Sequence, residues 1–168
     1  MINLRPIMRN DFAAVKNMIA QGRRFQNSLG FEQWLEGYPS DALLETDFLS
    51  RRGYIIVSEG KTAGYVVVDT KGDEEYERLS HIWNLHGEYA VVHRLVLSDE
   101  YRGHGLASHV VQHIEKAVAE NGLNIIRFDT GLQNTPMQRL LARHSYTNLG
   151  EYDFVWGRRL AYEKQLSR

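Results

Sequence analysis

The sequence contains no cysteine, only three prolines in 168 residues, and no long apolar run. Without cysteine the chain can form neither a disulfide framework nor a thiolate metal site, and this composition fits a reducing compartment, so we expect the cytoplasm. A membrane-spanning helix needs roughly 20 consecutive apolar residues, which no stretch approaches, and the first residues lack a signal-peptide core. We therefore expect no membrane partner.

An excess of charge of either sign is also missing, because 20 Lys and Arg stand against 21 Asp and Glu and leave a net charge of −1. Nucleic-acid binding normally shows a basic patch or stripe, so the composition argues against a nucleic-acid partner. The length suits one compact core, and the sequence shows neither repeats nor linkers. We expect a single domain over residues 1–168.

The most informative stretch is Val92–Ala107, in which a hydrophobic strand runs into a glycine-rich turn and then into a long amphipathic helix. Gly103 and Gly105 allow successive backbone N–H groups to converge without a Cβ atom in the way. The start of the helix adds unpaired N–H donors and a positive dipole end, and Arg102 adds a cation. These features predict a site for a phosphate group.

Two common phosphate-binding motifs do not fit the sequence. The dinucleotide fingerprint requires a third glycine where this chain has Ser108. A P-loop ending at Gly60-Lys61-Thr62 would require glycine at the position of Ile55, so that tripeptide is better interpreted as a hairpin turn.

Hydrophobic periodicity predicts an α/β fold. A strand, a long helix from about Leu106 to Asn121-Gly122 and a second strand follow one another, which predicts a right-handed crossover between parallel strands. An antiparallel hairpin is predicted around Gly60, and Pro136 marks the first turn of a later helix. Strands are predicted at 1–6, 53–58, 63–70, 91–97, 124–129, 146–152 and 155–162, with earlier helices from Phe12 and from Ser40 or Asp41.

The hexapeptide Arg102–Ala107 resembles the Q/R-x-x-G-x-G/A signature of the GNAT superfamily of N-acetyltransferases, and the preceding strand and following helix agree with that family. The resemblance implies a mostly antiparallel sheet of six or seven strands, flanked by helices, with one splayed parallel pair. Phrases similar to one bacterial subgroup of the family run through the chain: Gln33-Trp34, Tyr38-Pro39, His93-Arg94-Leu95, Arg127–Thr130 with Asn134, and Arg159–Lys164.

The same resemblance implies acetyl-CoA as co-substrate. In the family the turn holds the pyrophosphate, the exposed strand edge pairs with the pantetheine arm, and an asparagine after the next strand bonds the cofactor. Asn134 can equally be the cap of the helix that contains Pro136. The residues that these roles fall on are Leu95, Val96, Leu97, Arg102, Gly103, His104, Gly105, Leu106, Ala107 and Asn134.

The expected reaction moves an acetyl group to a primary amine of a small molecule or protein by direct attack on the thioester, since an acetyl-cysteine intermediate cannot form without cysteine. His93 lies where many relatives carry a glutamate and is the first candidate for the base, with Glu88 as the runner-up. A structural role is the alternative for a lone strand histidine. The family's tyrosine acid is replaced by Leu141, which leaves the acid unassigned.

Trp34, Tyr38 and Trp83 fall in segments expected to border the acceptor, although aromatic side chains more often belong to the core. His109 and His113 lie four residues apart but lack the glutamate of H-E-x-x-H, so we predict no metal. A homodimer is a fair expectation for a small enzyme.

Two alternatives stay open. A non-catalytic acyl-CoA sensor or regulatory module would keep the cofactor site without turnover, and Leu141 at the acid position favours it. A different acyl donor, such as succinyl-CoA, is the second alternative.

Overall fold

A computed structural model describes residues 1–167 and contains one seven-stranded sheet in the order β1-β2-β3-β4-β5-β7-β6. Its strands are β1 (Ile2–Pro6), β2 (Gly53–Ser58), β3 (Lys61–Asp69), β4 (Ala90–Leu97), β5 (Ile125–Thr130), β6 (Thr147–Phe154) and β7 (Gly157–Gln165). Its helices are α1 (Phe12–Ser28), α2 (Asp41–Leu49), α3 (Glu74–Arg78), α4 (Leu106–Glu120) and α5 (Thr135–Arg143).

Local signals in the sequence explain where the helices begin. The Ser40 hydroxyl accepts a hydrogen bond from the Leu43 N–H at 3.1 Å and caps α2. The Asn134 carbonyl oxygen accepts from the Met137 N–H at 3.3 Å, and Pro136 lies in the first turn of α5, where its missing N–H costs nothing. These two caps coincide with the predicted helix starts.

The helices cover both faces of the sheet. On one face, Val15 and Ile19 of α1 and Leu44 of α2 pack with Ile55 and Tyr65. On the other face, α4 and α5 bury a larger apolar cluster that contains Val110, Ile114, Val66, Phe128 and Leu141. Because side chains alternate along a strand, neighbouring residues of one strand reach opposite faces.

The parallel pair is short. β4 and β5 pair only at Ala90–Ile126 and Val91–Arg127, after which the two strands separate, while every other pair in the sheet is antiparallel. This arrangement confirms the predicted α/β fold, with its mostly antiparallel sheet and one splayed parallel pair.

A β-bulge lies in β4 at the point of separation. Val67 pairs with His93 and Tyr65 pairs with Val96, so β4 contains one residue more than β3 over this interval. Arg94 takes up the extra residue in the left-handed region, with φ of 53°. The bulge lets His93 and Arg94 both project from the face that α1 and α2 cover, where each finds a carboxylate partner.

Within residues 1–167, none of the helices combines the length and apolar character that crossing a membrane requires. Across that same range, no group of three or more His, Asp or Glu side chains is arranged to hold a metal ion.

Candidate active site

A cleft of about 1250 Å³ opens where β4 leaves β5. It extends from the glycine-rich turn at the start of α4 to a polar cluster around His93, and the segment 32–38 forms one wall. The cofactor candidates that line it are Leu95, Val96, Leu97, Arg102, Gly103, Gly105, Leu106, Ala107 and Asn134. His104 is exposed and contributes no side chain to the lining, which suits a role confined to its backbone N–H.

The turn has the geometry that the two glycines predict. Gly103 and Gly105 both lie in the left-handed region, with φ of 84° and 79°, and a Cβ atom on either would meet no other atom within 4 Å. The two glycines lead directly into α4, where the Ser108 N–H donates to the Gly105 carbonyl at 3.1 Å and the N–H groups of Leu106 and Ala107 have no partner inside the helix. The turn therefore offers a concave surface of backbone donors that a phosphate group can approach closely.

Arg102 stabilises the turn instead of projecting freely into the cleft. Its guanidinium donates to the Leu97 carbonyl at 2.9 Å and pairs with Asp99. It also lies 4.6 Å above the Phe25 ring of α1. These contacts fix the end of β4 against the turn.

His93 lies in the cleft and is held by a carboxylate. Its Nε2 atom is 2.9 Å from Oδ2 of Asp73, and its side chain is mostly buried. Burial alone would raise the pKa of the Asp73 carboxyl, but the hydrogen bond with His93 and the backbone N–H groups of Tyr76 and Glu75 together hold that pKa below its ordinary value. Asp73 is therefore an ionised partner that orients the imidazole.

Asp129 of β5 provides a second carboxylate at the same point. Its Oδ1 atom lies 4.0 Å from Nδ1 of His93 and accepts a hydrogen bond from the Tyr76 hydroxyl at 2.6 Å. Its Oδ2 atom accepts from the Trp156 indole N–H at 2.9 Å and lies 3.8 Å from Nε of Arg159. Two carboxylates thus flank a base candidate, an arrangement that attracts a cationic amine and can accept its proton.

Arg94 connects the bulge to the wall of the cleft that the segment 32–38 forms. Its guanidinium binds both carboxylate oxygens of the fully buried Asp47 at 2.6 Å and donates to the Tyr38 hydroxyl at 3.1 Å. Asp47 also accepts hydrogen bonds from Arg52 at 2.9 Å and from Tyr65 at 2.7 Å. The network fixes the shape of β4 beside the cleft.

Trp34 and Tyr38 form the aromatic part of this wall, with ring centroids 6.5 Å apart. The segment is anchored at both sides of the cleft. The buried Gln26 side chain accepts from the N–H groups of Gln33 and Trp34, each at 3.2 Å, and the Gln33 side chain accepts from the Gly131 N–H at 3.2 Å. Both aromatic residues thus border the cleft.

Two expectations about this site need correction. Glu88 is exposed and lies outside the cleft, because it precedes β4 at the end where that strand pairs with β5, whereas the cleft opens where the two strands part. Trp83 belongs to the core, where only 4% of its surface is exposed, and it stacks on Tyr76 and under the Arg127 guanidinium.

The position of the missing acid is buried. Leu141 has no exposed surface and packs in the core on the α4 and α5 side of the sheet. The neighbouring Tyr146, Tyr152 and His144 do not line the cleft either, among the residues that the structure describes.

Sequence reasoning missed four residues of the polar cluster: Asp73, Asp129, Trp156 and Arg159. For Asp129 a partial signal exists, because it lies at the end of the strand predicted to run parallel to the strand of His93. Asp73 lies in a loop, and Trp156 lies at the turn between β6 and β7. Asp73 begins the acidic run 73–77, which by itself indicates no contact with His93, and for Trp156 the sequence carries no comparable signal.

Comparison with known proteins agrees with this geometry. The family model described as the acetyltransferase (GNAT) family matches residues 19–146. A GNAT-family acetyltransferase from Streptococcus agalactiae aligns with a TM-score of 0.85 and 27% identity over 99% of this chain and 96% of that chain. One from Listeria monocytogenes aligns with a TM-score of 0.75 and 21% identity over 98% and 95% of the two chains.

The aminoglycoside acetyltransferase AAC(6')-Ib in complex with coenzyme A is similar in fold, with a TM-score of 0.75 and 15% identity over 98% of this chain and 95% of that chain. A search of curated proteins gave no match. The family model covers well over half of the sequence, and the structural neighbours align over nearly the whole chain. The chain therefore belongs to the acetyltransferase (GNAT) family of acyltransferases.

Proposed function

We propose that the protein is an N-acetyltransferase that moves the acetyl group of acetyl-CoA to a primary amine of a small molecule or a protein. One observation carries the proposal. The gap between β4 and β5 runs from the glycine-rich turn, where a phosphate group has room to approach backbone N–H groups, to the imidazole of His93, which lies between the carboxylates of Asp73 and Asp129. Cofactor and amine would thus meet in one cleft.

The residues present fit acetyl-CoA, which would supply an acyl group activated as a thioester. Gly103 and Gly105 leave room for a pyrophosphate beside the start of α4. The edge of β4 at Leu95–Leu97 has no partner strand on the β5 side and can pair with an amide-containing arm, as in β-augmentation. A backbone N–H near Val96 is suited to polarise the thioester carbonyl. In support, the aminoglycoside acetyltransferase AAC(6')-Ib, which has a similar fold, was crystallised with coenzyme A.

His93 would act as the base. An amine that enters the cleft as an ammonium ion is attracted by Asp129 and Asp73, and it must lose a proton before its nitrogen can attack. Nδ1 of His93 faces Asp129, so it is the nitrogen available to accept that proton. Trp34 and Tyr38 on one side, and Trp156 on the other, would border the rest of the acceptor.

We also propose that residues 1–168 act as one acetyltransferase domain, since a single sheet carries the whole cleft. The cytoplasm is the proposed location, because it combines reducing conditions with a supply of acetyl-CoA.

The first experiment measures binding and turnover separately. Thermal unfolding with and without acetyl-CoA reports binding, since a ligand at 100 times its dissociation constant adds about 2.7 kcal/mol to the free energy of unfolding. Release of CoA with a panel of primary amines reports turnover. The variant His93→Gln keeps an N–H that can reach Asp73 but cannot accept a proton, so we expect kcat/KM to fall by about 100-fold or more with unchanged acetyl-CoA affinity.

Each outcome has a distinct meaning. No stabilisation by saturating acetyl-CoA would refute the proposed cofactor, and stronger stabilisation by succinyl-CoA would identify a different acyl donor. If acetyl-CoA binds but no amine causes release of CoA, the result would favour the alternative function, a non-catalytic acyl-CoA sensor. Leu141 at the position of the family's acid agrees with that alternative. Equal kcat/KM in His93→Gln and the wild type would exclude His93 as the base.

A further inference from the structure

Thr130, the last residue of β5, has a buried hydroxyl without a partner. Only 1% of its surface is exposed, and its Oγ1 atom makes no hydrogen bond with any residue that the structure describes. A buried hydroxyl that stays unpaired costs free energy comparable to a lost hydrogen bond. Thr130 also lines the cleft, so a group bound in the cleft can provide the missing partner.

Thr130 lies beside the part of β4 that contains the β-bulge. It directly follows Asp129, whose Oδ1 atom lies 4.0 Å from Nδ1 of His93, the residue before the bulged Arg94. That part of β4 directly precedes Leu95–Leu97, the edge proposed to receive the end of the cofactor. Thr130 is therefore level with the proposed position of the thioester.

Thr130 and His93 approach this level from opposite faces of the sheet. Asp129 shares the face of His93, as their 4.0 Å contact shows. Thr130 follows it and so projects to the other face, like Phe128, which packs with α4 and α5. The turn that would hold the pyrophosphate lies at the start of α4, so the cofactor arm reaches the gap from the face of Thr130.

We infer that the Thr130 hydroxyl donates a hydrogen bond to the sulfur atom of CoA and stabilises the thiolate as it departs. This inference rests on the proposed function. The sulfur joins the cofactor arm to the acyl group, so it lies on the arm's side of the thioester, while the acyl carbon faces the amine and His93. The carbonyl oxygen is already assigned to a backbone N–H of β4, which leaves the sulfur as the atom in need of a donor on the β5 side.

With Thr130 in this role, every bond, electron pair and proton of the acetyl transfer is accounted for. The amine nitrogen forms a bond to the acyl carbon and gives its proton to His93, the carbon–sulfur bond breaks, and its electron pair goes to sulfur. Thr130 does not supply a proton, because an alcohol is too weak an acid. It holds the thiolate through a charge-assisted hydrogen bond until solvent protonates the sulfur. A tyrosine at the position of Leu141 is then unnecessary.

The test compares Thr130→Val, which has nearly the same shape without the hydroxyl, with Thr130→Ser, which keeps it. Affinities for CoA and for desulfo-CoA, in which hydrogen replaces the thiol, are measured by calorimetry between pH 7 and 9.5. A hydrogen bond to a charged acceptor corresponds to about a tenfold change in affinity. We expect Thr130→Val to weaken CoA binding by about tenfold at the alkaline end and by less at pH 7, with desulfo-CoA binding unchanged at both.

Turnover gives a second readout. With any amine that supports CoA release, we expect Thr130→Val to lower kcat by about tenfold while KM for acetyl-CoA stays within about twofold. Thr130→Ser should remain within about threefold of the wild type in both assays. Thermal unfolding of the wild type and the two variants checks that each protein is folded. Because valine has nearly the same shape as threonine, Thr130→Val should not lower the midpoint of thermal unfolding.

Three results would overturn the inference: equal loss of CoA and desulfo-CoA binding in Thr130→Val, a pH-independent loss, or kinetics equal to those of the wild type. The first two would assign the hydroxyl to another part of the cofactor. Failure of the proposed function looks different, because the wild-type protein would then either fail to bind CoA and desulfo-CoA alike or bind both and release no CoA with any amine.

Discussion

Nδ1 of His93 lies 4.0 Å from Oδ1 of Asp129, across the gap between β4 and β5. The other ring nitrogen is hydrogen-bonded to Asp73 at 2.9 Å, and an ionised carboxylate can only accept. The neutral imidazole therefore carries its hydrogen on Nε2 and its lone pair on Nδ1, facing Asp129. An ammonium group can contact Nδ1 and Oδ1 at the same time, so the proposed base and the carboxylate converge on one position in the cleft.

The first prediction concerns the charge of Asp129. In Asp129→Asn the side chain can still accept from Tyr76 or Trp156, but the negative charge facing Nδ1 is lost. We expect kcat/KM for the amine to fall by about tenfold to 100-fold, since charged hydrogen bonds contribute about 1.5–3 kcal/mol, with acetyl-CoA affinity unchanged. Initial rates of CoA release provide the measurement. Asp153→Asn, at an exposed carboxylate outside the cleft, is the control and should match the wild type.

The second prediction concerns the pH dependence of stability. The pKa of the Asp73 carboxyl is lower in the folded protein than in the unfolded chain, where it is roughly 3.9. The unfolded chain therefore binds this proton more tightly, and the stabilisation is present above the unfolded pKa and is lost as the pH falls through the folded pKa. Asp73→Asn should accordingly flatten the acid side of the curve of unfolding free energy against pH.

Urea unfolding at a series of pH values between about 2 and 7 measures this difference. Asparagine retains an oxygen that can accept from the Glu75 and Tyr76 N–H groups, so the cap of α3 is preserved. Asp153→Asn serves again as an exposed control. If the curve of unfolding free energy against pH for Asp73→Asn ran parallel to that of the wild type over the whole acid range, the Asp73–His93 pair would not contribute to stability.

The third prediction concerns the turn at Gly105. Valine at this position would place a branched side chain in the space beside the first N–H groups of α4, and it would also strain a left-handed residue. We expect acetyl-CoA affinity to fall by at least about tenfold. Gly60→Val is a matched control, because Gly60 has φ of 78°, is equally open and lies in the β2–β3 turn outside the cleft.

Calorimetric titration of Gly105→Val and Gly60→Val with acetyl-CoA distinguishes the effect of backbone strain from obstruction of the cofactor site. The two substitutions should lower the midpoint of thermal unfolding by similar amounts, because each forces a β-branched residue to a positive φ. Only Gly105→Val should lose affinity for acetyl-CoA. Equal affinities in the two variants would refute the assignment of the turn to the pyrophosphate.

Features encoded by nearby residues could be predicted from the sequence. The turn, the start of α4 and the cap of α5 each depend on a few adjacent residues, such as Gly105 and Asn134. The parallel pair follows from the order of strand, helix and strand, since crossovers of this kind are right-handed. These elements were therefore predictable from the sequence, whereas the gap between the two strands was implied by the family resemblance.

Contacts made by loops could not be predicted in this way. Asp73 reaches His93 from a segment 20 residues upstream, and no spacing rule gives the path of that segment. The same segment turns Trp83 into the core, where it stacks on Tyr76. Glu88 lies outside the cleft because it precedes the end of β4 where that strand still pairs with β5, and the sequence does not show how far this pairing extends. The pairing is limited to Ala90 and Val91 of β4.

The last prediction concerns the buried pair of Arg94 and Asp47. Asp47 has no exposed surface, and replacing it with alanine would leave the Arg94 guanidinium buried without its carboxylate partner. Breaking a buried ion pair in this way costs about 3–5 kcal/mol, whereas exposed pairs contribute little. We expect Asp47→Ala to lower the free energy of urea unfolding by about that amount. Glu45→Ala, on the same helix but in an exposed pair with Arg9, should cause almost no change.

The same substitution should also affect kinetics. Because Arg94 donates a hydrogen bond to the Tyr38 hydroxyl, the folded fraction of the Asp47→Ala protein should show a higher KM for the amine. Equal stability of the two variants would show that the network around Asp47 does not hold the β-bulge in place.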